Sequence, residues 1–251
     1  MSLKVGESKF LEWKWNRTAL VKGTYMDGSC FFHSLLSVTS SKYRNMNREQ
    51  QISLCKELRK SFADSLDYEK FLSLRVQDKF VSQDESYDKY IPKDQDKKDY
   101  KVRYEAYKNY LINSSQHVGA EVIHLASMEL DLDIYLMRDG DIAHILVPTE
   151  VAFLKRNSVI ILWNRNHYEP IGVARKDTII KVGEDISEAY VDFVFHHSDP
   201  IIEDLYKKQK EGWDTYVEIM KEDVEGKADS KIAKSGKGNK QKKPSFRAAN
   251  S

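Results

Sequence analysis

The chain has 251 residues, 41% hydrophobic and 31% charged, with 40 lysines and arginines against 39 aspartates and glutamates. A net charge of +1 excludes a protein built mainly on nucleic-acid electrostatics, and the length suits one globular domain of about 200 residues with appendages. Two cysteines, neither in a Cys-x-x-Cys pair, exclude a disulfide framework and argue against structural zinc.

Residues 1–25 are aromatic and basic without a clear period. They contain no apolar h-region, and no stretch approaches 18 consecutive apolar residues. The expectation is a soluble protein of a reducing compartment, with no signal peptide and no membrane span, in which a Cys30–Cys55 bridge is disfavoured. MDGSCFFHSLLSV, residues 26–38, then sets a cysteine behind Asp-Gly-Ser and ahead of an apolar run that reads as a buried helix. In NREQQISLCKELRKSFA, residues 47–63, Asn47 is a cap, and Ile52, Cys55, Leu58 and Phe62 share one helical face. Cys55 therefore reads as a small core hydrophobe.

DYEKFLSLRVQDKF and DYKVRYEAYKNYLIN read as helices on either side of a charged excursion, SQDESYDKYIPKDQDKKD, which is a surface loop or an insertion that touches a partner. A helical face at Val122, Leu125 and Ala126 is followed by four β-candidates: DLDIYLM, DIAHILV, SVIILWN and HYEPIGV. The third is a near-continuous apolar run, the pattern of a strand buried on both faces. The link at WNRN makes the last two a hairpin. A final helix is expected over residues 199–221, weakened by Gly212. From Ser230 the chain carries seven lysines and arginines and no acid, which predicts disorder. Helices early and strands late make an α+β fold, with helices packed around a small sheet.

Cys30 has two readings, core filler or nucleophile. A thiol at a helix N-terminus meets unpaired N–H groups and the positive end of the dipole, which favour the thiolate. Asp27-Gly28-Ser29 forms a tight turn, and the amides of Gly28, Ser29 and Cys30 are placed to receive an oxyanion. Of the seven histidines, His117, His124, His144, His196 and His197 read as structural, and His33 sits on the nucleophile's own helix. His167 differs: it opens a strand at the sheet end, with Glu169 on the same side two residues on and Asn164 and Asn166 close by. A carboxylate or amide is what an imidazole needs for its orientation.

These residues carry a resemblance. Asp27-Gly28-Ser29-Cys30-Phe31-Phe32-His33-Ser34 resembles the Asp-Gly-x-Cys motif of the OTU family of cysteine proteases, the ovarian-tumour-type deubiquitinases. Ile160 to Trp163, followed by Asn166-His167-Tyr168-Glu169, resembles that family's apolar strand and His-Tyr signature. Val118 to Ala126, followed by Ile134-Tyr135-Leu136, resembles its intervening helix and strand. The resemblance covers roughly residues 20–175 and implies an OTU-type fold, a small central sheet between helices.

It implies Cys30 as nucleophile, His167 as general base, and Asp27 as the motif aspartate associated with the active-site loop. The family often has aspartate or asparagine where Glu169 stands, one methylene longer, so Glu169, Asn164 or a dyad supported by Asp27 are the alternatives for the third member. No metal or cofactor is implied. The implied partners are ubiquitin, polyubiquitin chains or another ubiquitin-like modifier, and ubiquitinated proteins. The basic ubiquitin tail calls for an acidic lining, sought in residues 78–105.

An inactive OTU-like ubiquitin-binding module is the competing reading. Weak nucleic-acid contact through the lysine-rich tail is a lesser one, as a solvating end accounts for the tail better. The expected organisation is an N-terminal extension over 1–19, a catalytic domain over 20–175, a C-terminal extension of strands plus helix over 176–222, and a disordered tail over 223–251. The composition, rich in lysine, asparagine and tyrosine, hints at an AT-rich genome. The expected compartment is the cytoplasm, that of the host if the source is viral.

Overall fold

The computed structural model describes residues 3–11, 15–78, 88–96, 98–113, 115, 118–138, 141–146, 155–164, 167–175 and 190–211. The chain divides into two compact units, Met1–Gln209 and Lys210–Ser251. Residues 212–251, with the lysine-rich tail and the end of the final helix, lie outside the described residues, as do His117 and Asn166.

The first unit is built on a seven-stranded sheet. Strands β1 (Ser8–Leu11), β2 (Ala19–Lys22), β3 (Asp133–Arg138), β4 (Asp141–Leu146), β5 (Ser158–Asn164) and β6 (His167–Ala174) lie in the order β1-β2-β6-β5-β3-β4. A short β7 (Val191–Asp192) pairs with β6. Among the described strands, only β3 and β5 run parallel. The expected hairpin is present, with Asn164 opposite His167 in the β5–β6 register.

Side-chain alternation splits the strands between two cores. Val159 and Ile161 of β5, with Ile134 and Leu136 of β3, join the helices α1 (Cys30–Thr39), α2 (Ser41–Arg44), α3 (Arg48–Ser65), α4 (Tyr68–Asp78), α5 (Tyr100–Ile112) and α6 (Ala120–Glu129). Ile160, Leu162, Tyr135 and Met137 face the other way, onto Ile201, Ile202 and Leu205 of α7, a helix over 200–211. The apolar run SVIILWN is thus a strand covered on both faces, as its pattern predicts.

Helix starts follow from their caps. Asn47 accepts from the Gln50 amide at 3.0 Å while Gln50 Oε1 accepts from the Asn47 amide at 3.1 Å, a reciprocal capping box. Asp99 accepts from the Lys101 amide at 2.8 Å and starts α5. Helix α1 is buried at eight of its ten positions, because it lies between the sheet and α3.

Two strands escape the sequence pattern. β1 and β2 are four residues each, and β2 is buried on both faces at its first three positions, so neither shows a readable alternation. The sheet also crosses the boundaries drawn at 20 and 175. β1 and β2 pair with each other, and β7 pairs with β6. Among the described residues no helix is long and apolar enough to cross a membrane.

Candidate active site

Cys30 is the first residue of α1, at the end of a loop held by hydrogen bonds at Asp27 and Ser29. Asp27 Oδ1 accepts from the Ser29 amide at 2.9 Å across Gly28, which sits at φ +81°. Only glycine takes that left-handed backbone cheaply. The Ser29 carbonyl accepts from the His33 amide at 2.9 Å and faces Cys55 Sγ at 4.0 Å. The Ser29 hydroxyl receives Arg59 Nη1 at 3.4 Å.

Arg59, which no sequence pattern marks, is wholly buried. From α3 its guanidinium donates to the carbonyls of Leu111 (2.6 Å), Asn113 (2.6 Å) and Tyr110 (3.2 Å) at the end of α5. A helix C-terminus leaves such carbonyls unpaired and carries partial negative charge, so a cation belongs there. Its guanidinium carbon also lies 4.9 Å from the centre of the Phe32 ring.

Asp27 holds the loop and meets a second partner, His33 Nε2, at 3.0 Å, whose Nδ1 lies 2.6 Å from the Tyr43 hydroxyl. Burial alone would raise the Asp27 carboxyl, but the hydrogen bond and charge of His33 and the Ser29 amide hold it below the usual carboxylate value. Both ring nitrogens of His33 are thus engaged, one by Asp27 of the loop and one by Tyr43 of α2. The Ser29 amide, one of three expected oxyanion donors, is taken by Asp27, so that expectation narrows to Gly28 and Cys30.

The expectation of a thiol lowered by its helix end is corrected. Cys30 is 1% exposed, and burial pushes its thiol up. The amides of Tyr168, Phe31 and Cys30 itself pull the other way without prevailing, and the charge of Asp27 adds to the rise. Cys55 is pushed further, to about 12, with burial again the first cause. Both cysteines are free thiols.

The Tyr168 amide that bears on the Cys30 sulfur belongs to the residue after His167. α1 packs against β6 here, and the rings of Phe31 and Tyr168 meet edge to face at 5.4 Å. His167 opens β6 and is 3% exposed. Its Nε2 lies 3.3 Å from Thr24 Oγ1 and 3.8 Å from Glu169 Oε1. Thr24 donates its own proton to the Tyr168 carbonyl at 2.7 Å, so its oxygen meets Nε2 as an acceptor. Nε2 then carries the proton, and Nδ1 is the basic nitrogen.

Glu169 is 0% exposed, and its Oε1 accepts from the Leu3 amide at 2.8 Å. Cys30, His167 and Glu169 are therefore gathered where α1 meets the head of β6, with Asp27 one step back in the loop. Thr24 and Leu3 are partners that sequence reasoning did not find. His124, read as structural, is buried in α6 and held down to about 4 by burial and by the charge of Arg156.

The solved structures similar to this chain include three that hold OTU domains. One is an ovarian tumour (OTU) domain in complex with ubiquitin, 16% identical over 77% of this chain and 84% of its own, TM-score 0.46. The viral OTU domain protease from Taggert virus is 11% identical over 68% and 96%, TM-score 0.34. The Hazara virus OTU bound to ubiquitin is 13% identical over 67% and 96%, TM-score 0.35. No family model matches this chain, and no curated protein does.

Proposed function

We propose that this chain is a deubiquitinating cysteine protease that cleaves isopeptide or peptide bonds after the C-terminal glycine of ubiquitin. The observation that carries the reading is His167. Its Nε2 meets Thr24 Oγ1 at 3.3 Å with the Glu169 carboxylate 3.8 Å away, and it stands one residue from the amide that bears on the Cys30 sulfur. An imidazole fixed through one nitrogen beside a thiol at a helix start is the arrangement nucleophilic catalysis needs. The ubiquitin assignment rests on the Asp27–Ser34 and Ile160–Glu169 motifs, which resemble those of the OTU family.

In this reading His167 Nδ1 takes the Cys30 proton as the sulfur attacks the glycine carbonyl. Because burial raises the thiol, proton transfer accompanies attack rather than preceding it. The amides of Gly28 and Cys30 receive the oxyanion. His167 then gives its proton to the leaving lysine amine, and a thioester remains on Cys30. Water, deprotonated by His167, hydrolyses that thioester and restores the thiol. The chemistry uses no cofactor, and a reducing compartment such as the cytoplasm keeps the thiol available.

The test is incubation with ubiquitin bearing a C-terminal electrophile, wild type beside Cys30→Ala. An adduct on the wild type alone is expected. An adduct of equal yield on Cys30→Ala would overturn the nucleophile assignment. The closed resting thiol, 1% exposed, favours one second reading, an inactive ubiquitin-binding module. Ubiquitin binding without adduct by a folded wild-type chain would select it.

A further inference from the structure

The stretch before β1 reaches the candidate site through the Leu3 amide. Residues 3–7 form a closed turn: the Glu7 amide donates to the Lys4 carbonyl at 3.0 Å, and the Lys4 amide to Glu7 Oε2 at 3.0 Å. Gly6 at φ +86° makes the reversal possible. The turn is pinned to the end of β2, where the Gly23 amide donates to the Glu7 carbonyl at 2.9 Å. The fit at Gly23 is tight, since a Cβ there would collide with the Lys4 carbonyl oxygen. The residue after Gly23 is Thr24, which meets His167 Nε2. The Leu3 amide, at the head of the same turn, donates to Glu169 Oε1, the oxygen that faces His167 Nε2.

We propose that the Leu3 backbone amide is a positioning group for the candidate site, fixing the Glu169 carboxylate beside His167. The proposal rests on the reading of His167 as general base. A glutamate side chain has three rotatable bonds, and an imidazole 3.8 Å away is too distant to hold it by a hydrogen bond. A hydrogen bond from the Leu3 amide at 2.8 Å does hold it. The methylene that distinguishes Glu169 from aspartate then has a purpose: it lets one oxygen reach both the Leu3 amide and the imidazole. Leu3 thus acts through Glu169 and touches neither thiol nor substrate.

The test compares Leu3→Pro, which deletes the amide proton, with Leu3→Ala, which keeps it. The first readout needs no substrate: the His167 ring is titrated by NMR in the full chain and identified by its loss in His167→Gln. If the amide holds Glu169 against the imidazolium, Leu3→Pro lowers the midpoint by about half a pH unit or more, and Leu3→Ala leaves it in place. The second readout is hydrolysis of a ubiquitin C-terminal amide. Here Leu3→Pro lowers kcat about tenfold with KM little changed, and adds nothing in a Glu169→Ala background.

Equal midpoints in the two Leu3 variants would overturn the proposal. So would a rise in Leu3→Pro, which would mean that the amide keeps Glu169 away from the imidazole. Should Leu3→Pro fail to fold by circular dichroism, Gly23→Ala, which displaces the same turn, is read in both Glu169 backgrounds; additive losses would overturn it. Failure of the enzymatic reading looks different: no ubiquitin hydrolysis by wild type, whatever the midpoints do.

Discussion

Thr24 Oγ1 lies 3.3 Å from His167 Nε2 while donating its proton to the Tyr168 carbonyl at 2.7 Å. Those two distances assign the imidazole tautomer, because a hydroxyl whose single proton is committed elsewhere can only accept from the ring. Thr24→Val preserves shape and removes the acceptor. It is expected to lower kcat/KM on a ubiquitin C-terminal amide roughly tenfold, the effect of losing one orienting hydrogen bond. Thr24→Ser keeps the hydroxyl and should retain most of the rate. Equal rates for Thr24→Val and wild type would leave the orientation to Glu169 alone.

Arg59 joins two distant parts of the chain, the end of α5 and the serine before Cys30. Arg59→Met fills much of the same space but removes the guanidinium from the Leu111 and Asn113 carbonyls, while that of Tyr110 keeps the Asn113 amide. A loss of about 3 kcal/mol in unfolding free energy is expected from stranding buried acceptors. Arg59→Lys should recover only part of it, since one ammonium cannot reproduce the planar fork. Urea denaturation measures both. A midpoint for Arg59→Met within error of wild type would show that water replaces the guanidinium.

Arg59 also shows where the sequence stops being legible. The α3 face at Ile52, Cys55, Leu58 and Phe62 is visible as a period, and Arg59 sits beside it looking like any solvated helix charge. What buries it is the end of α5, some fifty residues on, and no local pattern carries that. Cys30 and His167 are legible because the chemistry needs those side chains at a helix start and a strand head. Leu3 is not, because its contribution is a backbone amide, which every residue but proline has. Thr24 is not, because a threonine after a four-residue strand marks nothing until β6 is beside it. The oxyanion expectation erred on the same ground, since Asp27 can be seen near Ser29 in sequence but not that it takes the amide.

His124 makes stability depend on pH. Its Nδ1 is buried with no hydrogen-bond partner among the described residues, and the folded ring titrates only at about 4. An unfolded imidazole takes a proton near pH 6.5, so between those values the unfolded chain binds the extra proton. The stabilisation is complete above about pH 6.5 and drains away as the pH falls toward 4, by about 3 kcal/mol in all. His124→Leu should flatten that part of the profile, measured as urea unfolding free energy from pH 7 to pH 4. An unchanged slope would place the acid sensitivity in the carboxylates instead.

Asp27 separates loop geometry from charge. Its carboxyl accepts from the Ser29 amide with one oxygen and meets His33 with the other. Asp27→Asn keeps an oxygen for the amide and loses the charge, whereas Asp27→Ala loses both. If Asp27 acts by shaping the turn before Cys30, Asp27→Asn retains most of the ubiquitin-probe labelling rate and Asp27→Ala loses at least about tenfold. The carboxyl is held below its usual value, so whatever it adds to stability is present above the unfolded carboxylate pKa. That part is lost as the pH falls through the lower folded value. Asp27→Asn should therefore unfold with a shallower acid limb than wild type. Labelling by Asp27→Asn as slow as by Asp27→Ala would move the role of Asp27 from the turn to its negative charge.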